Sequence, residues 1–413
     1  MAKNNKIVKN TTWLFIFNIA KILFPFITLP YLTRVLSTET YGVVTYVKTV
    51  MTYMQIFVDF GFVLSGTKDI VKALSKKKDN ELGIVVGDTM ISRIILGLVG
   101  FIITLILSLI IPILKENILY NILSYFVVFE SIFLMDFLFR GFERMHVIAI
   151  RFIVMKILSS ILTFILIKND SNLLLIPILD IISSTIAVAL VWYEYHKLNI
   201  KIKVSSLKNI IIKIKESFVY FLSNAASTSF NALGTIIIGI MLTKTQVAYW
   251  GICMQIIGTI QALYNPICDG IYPEMIRTKN ISIIRKVLKI FIPLIIIGSI
   301  ATYLLAPLGI KILGGTKYTL AVPILRMLIP CLIISFPAMI FGWPTVGAIG
   351  DPKDVTKSTI ISIILNIIML IFLIIIKKFT LTNIAIVRVL TEMILFLTRY
   401  RYFRKYKTEF VEE

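Results

Sequence analysis

Acidic groups are scarce in this 413-residue chain: 22 Asp and Glu stand against 43 Lys and Arg, and charged residues are only 16% of the total. Histidine occurs twice and cysteine three times. Cys253, Cys268 and Cys331 fall in or beside apolar runs without CxxC spacing, so neither a disulfide framework nor a metal site is indicated, and no cofactor is expected. The sequence has no Gly-rich phosphate loop and no Ser/His/Asp constellation, which argues against an ATPase module and against an enzyme. Energy for any transport must then come from an ion gradient, the substrate's own gradient or a partner. Long polar stretches are missing too. What fills the chain is apolar: 58% of residues are hydrophobic and the mean hydropathy is +0.90. An ordinary soluble protein is excluded.

A bilayer core takes about 20 apolar residues per helical crossing, and runs of that size recur from Thr12 to Tyr400. The pattern predicts an all-α polytopic membrane protein with about twelve crossings: 12–32, 42–64, 90–112, 118–139, 147–167, 173–195, 217–241, 247–272, 289–308, 322–346, 358–376 and 380–399. The apolar stretch of the first is too long for a cleavable signal, and no small-residue cleavage site follows it. Alternate connections divide the cations unevenly. One set, running from Lys3, Lys6 and Lys9 through Lys68–Lys78, Arg140, Arg144, Arg151 and Lys197–Lys215 to Arg399–Lys407, holds 29 of the 43; the other holds eight. The positive-inside rule then places both termini in the cytoplasm, with an even number of crossings. Most of the excess charge is thus topological, and no nucleic-acid partner is expected. His146 and His196, near helix ends, read as interfacial polar residues.

The longest connection on the cation-rich side divides the chain into an N-terminal lobe (1–195), a cytoplasmic linker (196–216), a C-terminal lobe (217–399) and a cytoplasmic tail (400–413). The two six-helix lobes look alike. Leu36-Ser37-Thr38-Glu39-Thr40 after the first crossing parallels Leu242-Thr243-Lys244-Thr245-Gln246 after the seventh. Gly42 to Asp59 likewise parallels Gly251 to Asp269, 17 residues against 18. A parallel repeat of this kind predicts a cavity between two pseudo-symmetric lobes.

Polar spacing marks the faces that would line it, because lipid-facing positions hold unsatisfied polar groups only at a cost. Asn18, Lys21, Pro25 and Thr28 share one face of the first crossing, and Thr45, Lys48, Thr52, Gln55 and Asp59 one face of the second. Asn224, Thr228 and Asn231 repeat the pattern in the seventh, and Gln255, Thr259, Pro266 and Asp269 less fully in the eighth. Interhelical hydrogen bonding is the plainer explanation for such stripes; the lysines on the first two favour a wet lumen. Lys21 and Lys156 fall near mid-depth and Lys48 in the outer half, each costing about 3 kcal/mol unless partnered or hydrated. Glu130 and Asp180 are the carboxylates at depth. Glu130 either neutralises Lys156 or serves, like Asp180, as a protonatable group for ion coupling. Arg388 and Glu392, four apart, are expected to satisfy each other, and Arg93 and Arg326 to snorkel. Asp136, Arg140 and Glu143 share a face at the end of the fourth crossing. Arg140, Glu143, Asp59 and Asp269 are the gate candidates. Pro323, Pro330, Pro337 and Pro344 recur every seven residues, so the tenth crossing should be bent or broken.

Two stretches resemble a known family. Pro30-Tyr31-Leu32-Thr33-Arg34-Val35-Leu36, Tyr41-Gly42, and Asp59-Phe60-Gly61 leading to Ser65-Gly66-Thr67-Lys68 resemble the opening of polysaccharide-transporter (Wzx-like) flippases, within the multidrug/oligosaccharidyl-lipid/polysaccharide exporter superfamily. Phe139-Arg140-Gly141-Phe142-Glu143-Arg144-Met145 resembles that family's aromatic-Gln-Gly-x-Glu stretch, with Arg140 where Gln is commoner; Gly347-Ala348-Ile349-Gly350 is a weaker match. The resemblance implies flipping of an undecaprenyl-diphosphate-linked oligosaccharide repeat unit from the inner to the outer leaflet by alternating access. It also implies membrane-lipid contacts and, as further partners, a polysaccharide polymerase and a chain-length regulator. On this expectation Lys21, Lys48 and Lys156, with Arg34 at the outer mouth, bind the substrate, while Asn18, Thr52, Gln55, Asn224, Thr228 and Asn231 supply polar lining. A drug/cation antiporter of the same superfamily would call for an acidic lumen. A membrane-embedded glycan enzyme would call for a large outer loop or an embedded histidine/carboxylate site.

Overall fold

The computed structural model describes residues 2–76 and 79–411; Lys77 and Lys78, and the side chains of Lys3 and Lys6, lie outside the described residues. In chain order the helices are α1 (Ala2–Val35), α2 (Thr38–Asp59), α3 (Phe62–Ser75), α4 (Asp79–Ile110), the short α5 (Pro112–Lys115), α6 (Ile118–Glu130), α7 (Asp136–Gly141), α8 (Met145–Leu166) and α9 (Leu175–His196). They continue with α10 (Leu207–Met241), α11 (Lys244–Ala262), α12 (Asn265–Thr278), α13 (Ile281–Gly314), α14 (Val322–Leu328), α15 (Pro330–Ile340), α16 (Pro352–Ile375) and α17 (Leu381–Lys405). Two compact units result, Met1–Ala225 and Ala226–Glu413.

Among the described residues, eleven helical stretches are long and apolar enough to span a bilayer, from Lys9–Val35 to Leu381–Lys405. They match the predicted crossings except the seventh. That crossing is α10, 35 residues long but diluted in apolar content by Ser223, Asn224, Ser227, Thr228, Ser229 and Asn231. Its first part rests on the N-terminal unit instead: Ser217 Oγ bonds Ser65 Oγ at 2.7 Å, and Phe221 stacks on Phe60 with ring centroids 4.5 Å apart.

The repeat shows in where helices are interrupted. The second crossing breaks after Asp59, where Phe60 and Gly61 take left-handed φ of 42° and 78°; a Cβ on Gly61 would also lie 2.4 Å from Tyr220 Cβ. The eighth breaks after Ala262 and restarts as α12 with Pro266 in its first turn, where a missing N–H costs nothing. The caps that open these crossings correspond too. Ser37 Oγ accepts from Thr40 N, and Thr243 forms a reciprocal capping box with Gln246. The proposed pairing of Asp59 with Asp269 does not hold in this register, because Asp59 ends α2 whereas Asp269 lies inside α12.

The fourth and tenth crossings are also interrupted, for different reasons. The fourth passes through a 3-10 turn, Ser131–Leu134, and a left-handed Met135 (φ 47°) before α7, with no proline to announce it. In the tenth the prolines act as expected: α14 and α15 each carry one in the first turn, and the wide turn Phe341–Gly347 holds Pro344 and a non-helical Gly342. Thr345 Oγ1 serves the Ile340 carbonyl that Pro344 cannot, and Arg399 Nη1 serves that of Ala338 at 2.8 Å. Arg399 is therefore a structural clamp inside the C-terminal unit, not a tail cation. Pro25 and Pro30, by contrast, leave α1 continuous.

The predicted linker is only partly one. Residues 207–216 already belong to α10, and 200–206 form an extended strap bound to α4. Lys203 N donates to Gly83 O at 3.1 Å, and buried Asp88 accepts from both Ser205 N (2.8 Å) and Ser205 Oγ (2.7 Å). Gly83 and Gly87 make room: a Cβ there would come within 2.0 Å of Lys201 O and 2.1 Å of Lys203 O. The chain end is similarly docked, with Val411 N donating to Lys279 O at 3.0 Å. Gly87→Leu should unseat the strap, lowering the melting temperature of the purified protein by about 4 °C or more and accelerating amide exchange over 200–206. Unaltered exchange there would show that the close approach does not hold it.

Candidate functional site

Five helices of the N-terminal unit form a ring in which α1 packs on α8, α8 on α9, α9 on α6, α6 on α2, and α2 on α1. Within it lies a cavity of about 480 Å³. Each helix turns a polar stripe inward: Lys21 and Thr28 from α1, Lys48, Thr52 and Gln55 from α2, Tyr120 and Ser124 from α6, Lys156, Ser159, Ser160 and Thr163 from α8, and Asp180 from α9. Every lining residue belongs to this one unit.

The charge is one-sided. Among the described residues Lys21, Lys48 and Lys156 form no ion pair, and the single carboxylate in the lining, Asp180, accepts from Ser159 Oγ at 2.6 Å. Lys21 rests its ammonium over the Phe17 ring, 4.4 Å from the centroid. Glu130 does not neutralise Lys156. It lies outside the lining, accepts from Thr185 Oγ1 at 2.7 Å, and keeps its second oxygen buried without a hydrogen bond. Three deep ammonium groups, each costing about 3 kcal/mol in apolar surroundings, share a hollow with polar walls, the arrangement that water or an anion would relieve.

The remaining sequence candidates fall elsewhere. Asn18 lies one turn short of the lined part of α1, and Arg34 lies beyond it, donating to Pro30 O at 2.9 Å. Asn224, Thr228 and Asn231 are on α10; Asn231 Oδ1 accepts from Arg388 Nη2 at 3.2 Å, beside the Arg388–Glu392 pair at 2.6 Å. Asp269 is exposed on α12, and Glu143 sits at a left-handed turn (φ 56°) after α7. The contributions of α6 and most of those of α8 were missed. On α8 the signal was available: Phe152, Lys156, Ser159 and Thr163 are spaced 4, 3 and 4, one helical face.

Two charged pairs hold the helix interruptions beneath the cavity. Arg93 does not snorkel; its side chain is 4% exposed, pairs with Asp59 at 2.5 Å, and donates to Ile132 O at 3.2 Å. One guanidinium on unbroken α4 thus ties the break after α2 to the break after α6, and Gln55 Nε2 adds a bond to Ser131 Oγ at 2.8 Å. Arg151 is likewise inside the unit and not in a connection, paired with Asp136 at the start of α7.

An all-helical chain of two units with interrupted second and fourth crossings in each has the fold of the multidrug-exporter class of membrane transporters. A solved inward-facing structure of a multidrug resistance MATE family transporter of the MOP superfamily superposes with TM-score 0.68, covering 95% of each chain at 15% identity. The family is set by sequence: residues 7–279 match the model of the polysaccharide biosynthesis protein family, and the chain belongs to it. It is 27% identical over 371 residues to a protein of Shigella dysenteriae, covering 87% of this chain and 91% of that one. With a protein of Escherichia coli (strain K12) it shares 25% identity over 377 residues, 88% of each. Both relatives carry a provisional assignment as O-antigen transporters.

Removing one partner from the buried pair, by Asp59→Asn or Arg93→Met, should cost about 3 kcal/mol or more. The double variant should lose clearly less than the sum of the singles in a double-mutant cycle of thermal or denaturant stability. Strict additivity would show that the two groups are not coupled.

Proposed function

We propose that this chain flips an undecaprenyl-diphosphate-linked oligosaccharide repeat unit from the inner to the outer leaflet of the bacterial cytoplasmic membrane, by alternating access, for surface polysaccharide export. The observation that carries this reading is the cavity in which Lys21, Lys48 and Lys156 converge without ion-paired carboxylates. A diphosphate is ionised on both phosphates, and lysines can hold it as mobile point charges. Hydroxyls and amides from Thr28, Thr52, Gln55, Ser124 and Ser160 offer sugar contacts in the same hollow. The polyprenyl tail stays in the bilayer. Family membership and the O-antigen transporter assignments of the relatives support the substrate class. On this reading Arg34 serves the outer mouth and both termini lie in the cytoplasm, an orientation supported by the cation-rich connections.

Glu130, a buried carboxyl with one unbonded oxygen, and Asp180 are the groups through which a proton would couple to the cycle. A drug/cation antiporter on the same fold is disfavoured by the lining, which sets three ammonium groups against one carboxylate. In cells that depend on this protein for surface glycan, Lys21→Gln combined with Lys48→Gln should lower the glycan at least about tenfold at equal protein level, each charge-assisted contact being worth about 1.5–3 kcal/mol. Undiminished glycan would refute the cationic hold.

A further inference from the structure

Beyond the cavity lining, a second group of cations lies toward the end of the unit where α1 and α8 begin. Lys21 belongs to both groups. Its ammonium sits on Phe17, whose ring meets Phe152 edge-on at 5.0 Å, and Phe152 is itself part of the cavity wall. The residue before Phe152 is Arg151, five positions ahead of Lys156 on α8 and so about 7 Å nearer the helix start. Arg151 is 6% exposed and pairs with Asp136.

One helical turn after Asp136 comes Arg140. Among the described residues it forms no ion pair, and its Nε is buried without a hydrogen-bond partner, as is that of Arg151. Asp136 thus brings Arg140, one turn along α7, close to Arg151 on α8. The break at Ser131–Met135 makes this possible, since it ends α6 and restarts the chain as α7, packed on α3 and α8. Three cations therefore face one carboxylate. Arg151 is buried and Arg140 half-buried, and an Nε left unbonded on each is costly unless something else completes it.

We infer that Lys21, Arg140 and Arg151 form a second anion-holding station, on the side of the cavity where α1 begins, that receives the diphosphate of the substrate before Lys48 and Lys156 do. This rests on the flippase reading and adds a residue-level path to it. The stations differ in chemistry. Guanidinium forks match phosphate oxygens two at a time and suit capture, whereas ammonium point charges hold without fixed geometry and suit release. Asp136 competes with the phosphate for Arg151, and Lys21 is the shared contact at the handover.

The test is equilibrium binding of radiolabelled farnesyl diphosphate to the full-length protein in phosphatidylcholine nanodiscs, with farnesol and inorganic pyrophosphate as competitors. Arg140→Gln should weaken binding about tenfold, the loss of one charge-assisted contact, with an unchanged melting temperature. Arg140→Lys, which keeps the charge but not the fork and is the folding control, should recover only part of it. Lys48→Gln with Lys156→Gln should weaken binding separately. Competition by pyrophosphate but not farnesol would mark the phosphates as what is read, and competition by farnesol alone would overturn the station. Wild-type affinity in Arg140→Gln, alongside loss in the lysine variant, would overturn the station while leaving the cavity reading intact. No binding by the wild type would overturn both.

Discussion

The constraint on which this protein turns is the cost of holding positive charge away from water. A cation in the hydrocarbon region must find a carboxylate, a carbonyl, an aromatic face or a wet space, and the N-terminal unit uses all four. Arg93 takes Asp59 and a backbone carbonyl, Arg151 takes Asp136, and Lys21 takes the Phe17 ring. Lys48 and Lys156 have the cavity alone. Arg93 and Arg151, held by carboxylates, tie down helix interruptions, whereas Lys21, Lys48 and Lys156 line the cavity.

The C-terminal unit follows the same physics to a different end. Its two deep arginines are both spent on structure. Arg388 is held by Glu392, Asn231 and the Phe230 ring, and Arg399 by the Ala338 carbonyl and the hydroxyls of Ser358 and Thr359. The duplicated pattern of breaks shows that the units share an architecture. Their charges differ: the N-terminal unit gathers Lys21, Lys48 and Lys156 around a hollow of its own.

Much of this was legible in the sequence. Apolar run length marked the crossings because the bilayer fixes it, eleven of the twelve being long and apolar enough to span among the described residues, and four prolines spaced seven apart marked the broken tenth helix because proline cannot donate. The stripes on the first two crossings put Lys21, Lys48, Thr52 and Gln55 on faces that do meet. What stayed hidden depended on partners distant in the chain. Arg93, Arg151 and Arg399 looked like headgroup or connection cations from their position near helix ends, and only the packing of α2, α7 and α15 against them reveals otherwise. The break at Met135 has no proline or glycine to signal it. The repeat equates crossing one with seven and two with eight, whereas the ring around the cavity is completed by α6, α8 and α9.

The polar α10 bears on how the chain is made. A segment with Ser223, Asn224, Ser227, Thr228, Ser229 and Asn231 gains less from lipid than the more apolar crossings do and leans more on protein contacts. By the time it emerges from the ribosome, the six preceding crossings already exist, and Phe60, Gly61 and Ser65 present a surface against which Ser217, Tyr220 and Phe221 fit. The first part of α10 is thereby built into the N-terminal unit, and the boundary between the units, between Ala225 and Ala226, falls inside a continuous helix.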